Sequence, residues 1–248
     1  MARRRLALVL ICAFFFPALA VIRITGWSID AAVPHERYYQ AVFVLQHLGG
    51  PAAREREDIP RRVTRADATE SLLHHPDKIF VLGRVADSLA EARGDMPKAA
   101  LFEAYARLAL GDRRTAARLL ADYVVESNYD AGHYALLSGI LDELGDYPSL
   151  LMICSEWHGR DPTCREDRIR FTWAALHNLE RYAEAARHML VKGACLGWQA
   201  RVYAAKSVLA SGEEREAALA IDAALKEYAK DADRIQRLWN HIKDKNRV

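Results

Sequence analysis

The sequence predicts an all-α protein in which pairs of helices are stacked into an array. Three observations lead to this prediction: a turn that recurs about every 34 residues, small side chains at fixed distances from each turn, and a composition that is 51% hydrophobic with few glycines. A period of this length, with a helix on either side of the turn, is typical of α-solenoids. Four such repeats are predicted between Met96 and Asp231.

The repeated turns are recognisable by their residues as well as by their spacing. They begin at Leu110, Leu144, Leu179 and Ser211. The second turn positions are 34, 35 and 32 residues apart, and they hold glycine in every turn except the third, which has Glu180. Helical patterns of about 14 residues precede each turn and patterns of about 15 follow it, so each repeat is predicted to be a helix, a tight turn and a second helix.

Side chains at fixed distances from the turns predict how the helices pack. Three sites are counted from the second turn position of each repeat. The site seven residues before it holds Ala104, Ser138, Trp173 and Ala205, and the site five residues after it holds Ala116, Leu150, Ala185 and Ala217. The site nine residues after it holds Leu120, Cys154, Met189 and Ile221. Small residues at the first two sites let the helices of a pair touch, and larger apolar residues at the third fill the space between pairs. Trp173 and Leu150 are the exceptions among the small sites.

This pattern resembles the tetratricopeptide repeat. Tyr147 and Tyr182, two residues after the second turn position, and Pro162 at the end of the second repeat match the pattern of that family. The resemblance covers residues 96–231. It implies a right-handed α-solenoid whose concave surface, lined by the first helix of each repeat, binds protein partners.

The resemblance also implies which residues would contact a partner. By their places in the repeat they are Lys98, Tyr105, Asp142, Glu143, Asp167, Arg170, His177, Asn178, Gln199 and Lys206. Acidic residues are concentrated in the second repeat and basic residues flank them, which favours a mixed-charge peptide as the partner. The alternative is that these are ordinary solvated residues on a surface without a ligand.

The first 23 residues form a targeting or anchoring segment. Arg3 to Arg5 are a positive start, Leu6 to Phe16 is an unbroken apolar run, and a small-residue cleavage pattern ends at Ala20. The segment is either a signal peptide cleaved after Ala20 or an uncleaved anchor that extends to Ile22, near the lower limit for spanning a bilayer. In both cases the arginines stay in the cytoplasm and the rest of the chain is exported.

The segments on either side of the repeats are expected to connect and cap them. Residues 24–66 are predicted to be a linker that contains an amphipathic helix over Pro34–Leu48 and a solvated, charge-rich connector over Pro51–Arg65. Residues 67–95 are predicted to be a degenerate capping helix pair, and residues 232–248 a capping helix, because terminal repeats usually differ from internal ones.

The sequence offers no pattern for catalysis, a cofactor or a metal. The closest approaches to metal-ligand spacing are His74 with His75, Glu184 with His188, and Glu156 with His158, but none matches a known site pattern. The protein is therefore expected not to be an enzyme. Residues after Arg23 comprise 31 basic and 33 acidic residues, a net charge of −2, which argues against binding to nucleic acid.

The cysteines predict one disulfide bond. Cys12 lies in the apolar N-terminal segment, and the other three cysteines would be in an oxidising compartment where disulfides persist. Cys164 begins the third repeat and Cys195 ends it, so an antiparallel helix pair would bring them together, with Cys154 left as a free buried thiol. The alternative is that all three are small apolar core residues.

These observations predict a membrane-tethered or exported adapter that organises protein partners in a bacterial envelope assembly. It would be attached to the inner membrane through its N-terminal segment, with the repeats in the periplasm. One alternative is a fixed structural subunit of a membrane protein complex, and a further one is an accessory subunit of an envelope enzyme.

Overall fold

The computed structural model describes residues 35–64, 67–127 and 129–245. Every element of regular secondary structure within these residues is helical. The predicted N-terminal segment, with Arg3 to Arg5 and Cys12, lies outside them. In the described ranges, no helix has both the length and the apolar character needed to cross a lipid bilayer.

The chain divides into two compact units, Met1–Tyr123 and Val124–Val248. The helices of the first unit are α1 (residues 35–48), α2 (Arg61–Thr64), α3 (Asp67–Leu73), α4 (Lys78–Glu91), α5 (Ala99–Ala109) and the greater part of α6 (Arg113–Glu126), with short 3₁₀ helices over Pro51–Arg54 and Ala92–Gly94. Helix α5 packs against α4 and against the 3₁₀ helix Pro51–Arg54. The predicted helix over Pro34–Leu48 is confirmed where it is described, and its apolar face is buried through Tyr38, Val42 and Leu45.

The second unit contains three complete helix pairs and a final helix. They are α7 (Ala131–Leu144), α8 (Tyr147–Arg160), α9 (Glu166–Asn178), α10 (Tyr182–Lys192), α11 (Trp198–Ala210), α12 (Glu214–Glu227) and α13 (Ala232–Lys245), with 3₁₀ helices over Gly193–Leu196 and Ala229–Asp231. Each helix from α7 to α12 packs against the next one along the chain. Helix α13 packs against α11 and α12 through Ile235, Trp239 and Ile242.

The four predicted turns are confirmed, and they share one backbone conformation. The second residue of each turn has a left-handed φ: 82° at Gly111, 70° at Gly145, 60° at Glu180 and 90° at Gly212. Its N–H, and the N–H of the residue after it, donate to carbonyls in the last turn of the preceding helix; in the third turn these bonds join Glu180 to His177 at 3.1 Å and Arg181 to Leu176 at 2.9 Å. This is the Schellman arrangement, in which the chain reverses while the last carbonyls remain hydrogen-bonded.

The predicted packing sites are also confirmed. All twelve residues at the sites seven before, five after and nine after the second turn position are buried. Burial of apolar side chains at these sites stabilises each pair by about 25 cal/mol per Å² of apolar surface removed from water.

A hydrogen-bonded network determines the conformation between α8 and α9. The Asp161 carboxylate accepts bonds from the N–H of Thr163 at 3.0 Å, the Tyr129 hydroxyl at 2.7 Å and Arg165 Nε at 2.8 Å. The hydrogen bonds from the Thr163 side chain, Tyr129 and Arg165 lower the pKa of Asp161, so the carboxylate is ionised at neutral pH. The network fixes the chain immediately before Cys164.

A disulfide joins Cys164 to Cys195, the pair that the repeat register indicates. The Cα atoms are 6.4 Å apart, and the bridge ties the start of α9 to the 3₁₀ helix that follows α10. Cys154 is a free thiol and is buried, and this burial raises its pKa. Closing a loop of this size is expected to stabilise the fold by roughly 2 to 4 kcal/mol.

Replacing Glu180 by glycine is expected to stabilise the protein by about 0.5 to 1 kcal/mol. A side chain in the left-handed region costs about 1 to 2 kcal/mol, and the greater freedom of glycine in the unfolded chain offsets part of the gain. Urea denaturation measures the change in the free energy of unfolding.

Two control variants test the conformational explanation. Glu216→Gly, within helix α12, should destabilise by about 0.5 to 1 kcal/mol, and Gly145→Ala should destabilise by about 1 kcal/mol or more. A Glu180→Gly variant that is destabilised as much as Glu216→Gly would contradict the left-handed strain.

Candidate partner-binding surface

Eight of the ten residues predicted to bind a partner lie on α7, α9 and α11, the first helices of the three pairs in the second unit. Asp142 and Glu143 are at the end of α7; Asp167, Arg170, His177 and Asn178 are on α9; Gln199 and Lys206 are on α11. Lys98 precedes α5 and Tyr105 lies on it, both in the first unit.

Arg170 and Gln199 are brought together across α9 and α11. Arg170 Nη2 donates to Gln199 Oε1 at 2.8 Å and also lies 3.6 Å from a carboxylate oxygen of Glu166. Both Arg170 and Gln199 are half-buried. They form a polar bridge between two first helices.

An aromatic group of side chains lies beside this bridge. The α9–α11 cluster consists of Trp173, His177, Tyr203, Lys206 and Ser207. The Trp173 ring stacks on His177 with centroids 5.1 Å apart and lies 4.6 Å from the ring of Tyr203, while Lys206 Nζ is 5.0 Å from the Trp173 centroid. Trp173 Nε1 donates to the Ser207 hydroxyl at 2.9 Å.

The environment of the cluster keeps its histidine neutral. Burial, and then the charge of Lys206, lower the pKa of His177 to about 4, so the imidazole is uncharged at pH 7. The Lys206 ammonium interacts with the face of the indole ring, an attraction worth about 0.5 to 2 kcal/mol. Because Tyr203, His177 and Lys206 are only half-buried, rings and one cation of the cluster are accessible from solvent.

The remaining predicted residues of the second unit lie at the ends of helices. Asp142 is half-buried and Glu143 exposed, and burial together with the Glu143 charge raises the pKa of Asp142. Asp167 and Asn178 are exposed, and the Asn178 amide donates to the Ala174 carbonyl of its own helix at 2.9 Å.

In the first unit, the predicted binding residues contact a segment of the same chain. The Tyr105 hydroxyl donates to Glu55 Oε1 at 3.0 Å, and Lys98 Nζ lies 3.1 Å from Glu57 Oε2 and donates to the Arg56 carbonyl at 2.8 Å. We call residues 55–57 the acidic strap. The prediction of a solvated connector is wrong for these two acids, whose carboxylates have partners on or next to α5. Arg54, Arg56 and Asp58 are exposed, as that prediction requires.

The strap also contacts α1. Burial, followed by the charge of Glu57 and a hydrogen bond to it, raises the pKa of Tyr38, whose side chain is fully buried. A carboxylate that accepts a bond from a buried hydroxyl and pairs with a lysine holds the segment in place. The Lys98 and Tyr105 positions are therefore occupied within the molecule.

Sequence reasoning missed the central members of the α9–α11 cluster. Trp173 stands out in the sequence as a large residue at a small site, but its hydrogen-bond partner Ser207 is 34 residues away. A tryptophan where the other repeats have a small residue is the sequence signal that indicates such a contact, since a buried indole N–H requires an acceptor.

The histidine pairs considered as metal ligands have other partners. Glu184 forms an ion pair with Arg181 at 2.7 Å, whereas the His188 ring lies 3.2 Å from the Ile169 carbonyl. Glu156 accepts a bond from the Tyr134 hydroxyl at 2.9 Å. Within the described ranges, no three potential metal-ligating side chains lie together.

Comparison with known proteins adds one solved structure. No protein-family model matches the chain. No curated protein matches it either. The solved structure named MamA MSR-1 C2 is similar with 16% sequence identity and a TM-score of 0.48, and the match covers 62% of this chain and 91% of that one.

Replacing Glu57 by glutamine is expected to destabilise the protein by about 1 to 2 kcal/mol. The substitution replaces a carboxylate, which pairs with Lys98 and accepts a hydrogen bond from Tyr38, by a neutral amide. Hydrogen bonds to charged groups contribute free energies of this order. Asp58→Asn, an exposed acid in the next position, is the matched control and should change the free energy of unfolding by less than about 0.5 kcal/mol. If urea denaturation gave equally small changes in the free energy of unfolding for both variants, the carboxylates would not be what holds the strap in place.

Proposed function

We propose that this protein is an exported or membrane-tethered adapter that binds protein partners along the first helices of its repeats. In this proposal the surface of α7, α9 and α11 receives an extended, mixed-charge segment of a partner. The right-handed solenoid implied by the resemblance to tetratricopeptide repeats is part of the same proposal.

The α9–α11 cluster is the main observation that supports this proposal. Its half-buried rings and Lys206 form a site at which an apolar or acidic side chain of a partner could be buried, and aromatic residues dominate the energetics of many protein interfaces. The acids Asp142 and Glu143 provide the opposite charge on the neighbouring first helix. Such a surface favours specificity through electrostatic complementarity.

In this proposal the repeats lie outside the cytoplasm and the N-terminus lies in the cytoplasm. It is supported by Arg3 to Arg5 ahead of the apolar run Leu6 to Phe16. The pairing of Cys164 with Cys195 also supports it, because structural disulfides persist in oxidising compartments and are rare in the cytosol.

A fixed structural subunit is the second candidate, and exposed apolar side chains favour it. Met152, Leu190, Val191 and Leu219 lie on the second helices of the pairs in the second unit, and each is more than half exposed. Permanent packing against neighbouring subunits would bury them. An adapter purifies alone as a stable protein, whereas a fixed subunit is recovered only with its neighbours.

Replacing Asp142 and Glu143 by lysine is expected to abolish partner capture. Affinity purification from detergent-solubilised membranes, followed by mass spectrometry, should recover partners with the natural protein and lose them with this double variant. The matched control replaces Glu216 and Asp222, two exposed acids on α12, by lysine and should retain the partners. The α12 variant should keep its melting temperature, since exposed substitutions usually change stability by less than about 0.5 kcal/mol. Because Asp142 is half-buried, the melting temperature of the α7 variant is measured as well, so that lost binding is distinguished from lost folding. Retained capture by the α7 variant would refute the proposed surface.

A reporter enzyme that is active only outside the cytoplasm should be active when fused after Val248. The physical reason is that the positive residues before the apolar run are retained on the cytoplasmic side. A parallel fusion to a reporter active only in the cytoplasm is the control. Activity of that second fusion alone would contradict export.

A further inference from the structure

A cleft with positive charge and apolar walls opens between α8, α9 and α10. Its volume is about 440 Å³, and its apolar walls include Leu151, Ile169 and Val191. Clefts that hold small organic ligands commonly have volumes of about 300 to 1,000 Å³. None of the ten residues considered for partner binding lines this cleft, so it is a separate feature of the second unit.

The cationic side chains that line the cleft are Arg168 and Lys192, beside the imidazoles of His158 and His188, and no aspartate or glutamate is among the described residues that line it. Burial lowers the pKa of His188, as do the nearby charges of Lys192, Arg168 and His158. Low-dielectric walls and charges of one sign concentrate the electric field, which favours an anionic ligand.

Arg168 is the less exposed of these two cations. It is 5% exposed, and its guanidinium donates to the backbone carbonyls of Asp161 and Thr163. Both acceptors are neutral, and no ion pair between Arg168 and a carboxylate occurs among the residues that the structure describes. A guanidinium has five N–H donors, so Arg168 retains donors and a positive charge that a bound anion would satisfy.

The disulfide holds the two walls of the cleft together. Cys164 lines the cleft at the start of α9, and Cys195 follows α10, which contributes Val191 and Lys192. The bridge therefore restrains the distance between the helices that carry Arg168 and Lys192. A preorganised cleft loses less entropy when it binds a ligand.

We propose that this cleft binds a small organic monocarboxylate that carries an aliphatic tail. The carboxylate is placed at Arg168 and Lys192, and the tail contacts Leu151, Ile169 and Val191. Three apolar walls favour a ligand with a tail over a compact inorganic anion, because the tail removes apolar surface from water.

Calorimetric titration of the full chain with octanoate tests the proposal. Octanoate should bind one to one, and both 1-octanol and inorganic phosphate should bind at least roughly tenfold more weakly, since each lacks either the charge or the tail. Octanoate should also slow the alkylation of Cys154, which lines the same cleft, as measured on the isolated Cys154 peptide.

Charge-reversal variants assign the binding to this cleft. Lys192→Glu, at an exposed rim position, should weaken octanoate binding roughly tenfold or more, and Lys226→Glu, an exposed lysine on α12, should leave it unchanged. Val191→Glu adds an acid to the same rim and should weaken binding if Lys192→Glu proves unstable. The proposal is overturned by equal binding of octanol or phosphate, by equal effects of the two lysine variants, or by no heat of binding up to about 5 mM octanoate.

Discussion

The left-handed residue that ends the first helix of each repeat is the constraint on which the rest of this structure depends. It lets two N–H groups reach back to the carbonyls of the preceding helix, so the chain reverses without leaving those carbonyls unpaired. This turn recurs at nearly constant spacing, and the residues at fixed distances on both sides of it are buried in every pair. The helices can then approach closely and bury their apolar faces.

The third repeat contains the main departures from this regular plan. Glu180 adopts the left-handed conformation without being glycine, and Trp173 occupies a site that is small in the first, second and fourth repeats. The same repeat contains the disulfide between Cys164 and Cys195. Departures from local rules often mark functional sites. Here Trp173 belongs to the proposed partner surface, and Cys164 lines the proposed carboxylate cleft.

Positive side chains occur in two kinds of environment in this protein. In the first unit, Lys98 is paired with a carboxylate of the acidic strap. In the second unit, Lys206 lies over an indole ring and Arg168 donates to backbone carbonyls. Paired charges of the first kind stabilise the chain itself, whereas cations without a carboxylate partner remain able to attract an anion.

The sequence by itself determined the helix pairs, their turns and the cysteines that the third pair brings together, because periodicity and turn chemistry act over a few residues. Only the tertiary structure decided that Glu180 replaces glycine without changing the turn. Contacts between distant residues were equally beyond the sequence: Glu55 with Tyr105, separated by 50 residues, and Trp173 with Ser207, separated by 34. Such contacts depend on how packed helices place side chains relative to each other, and no local pattern in the chain encodes that geometry.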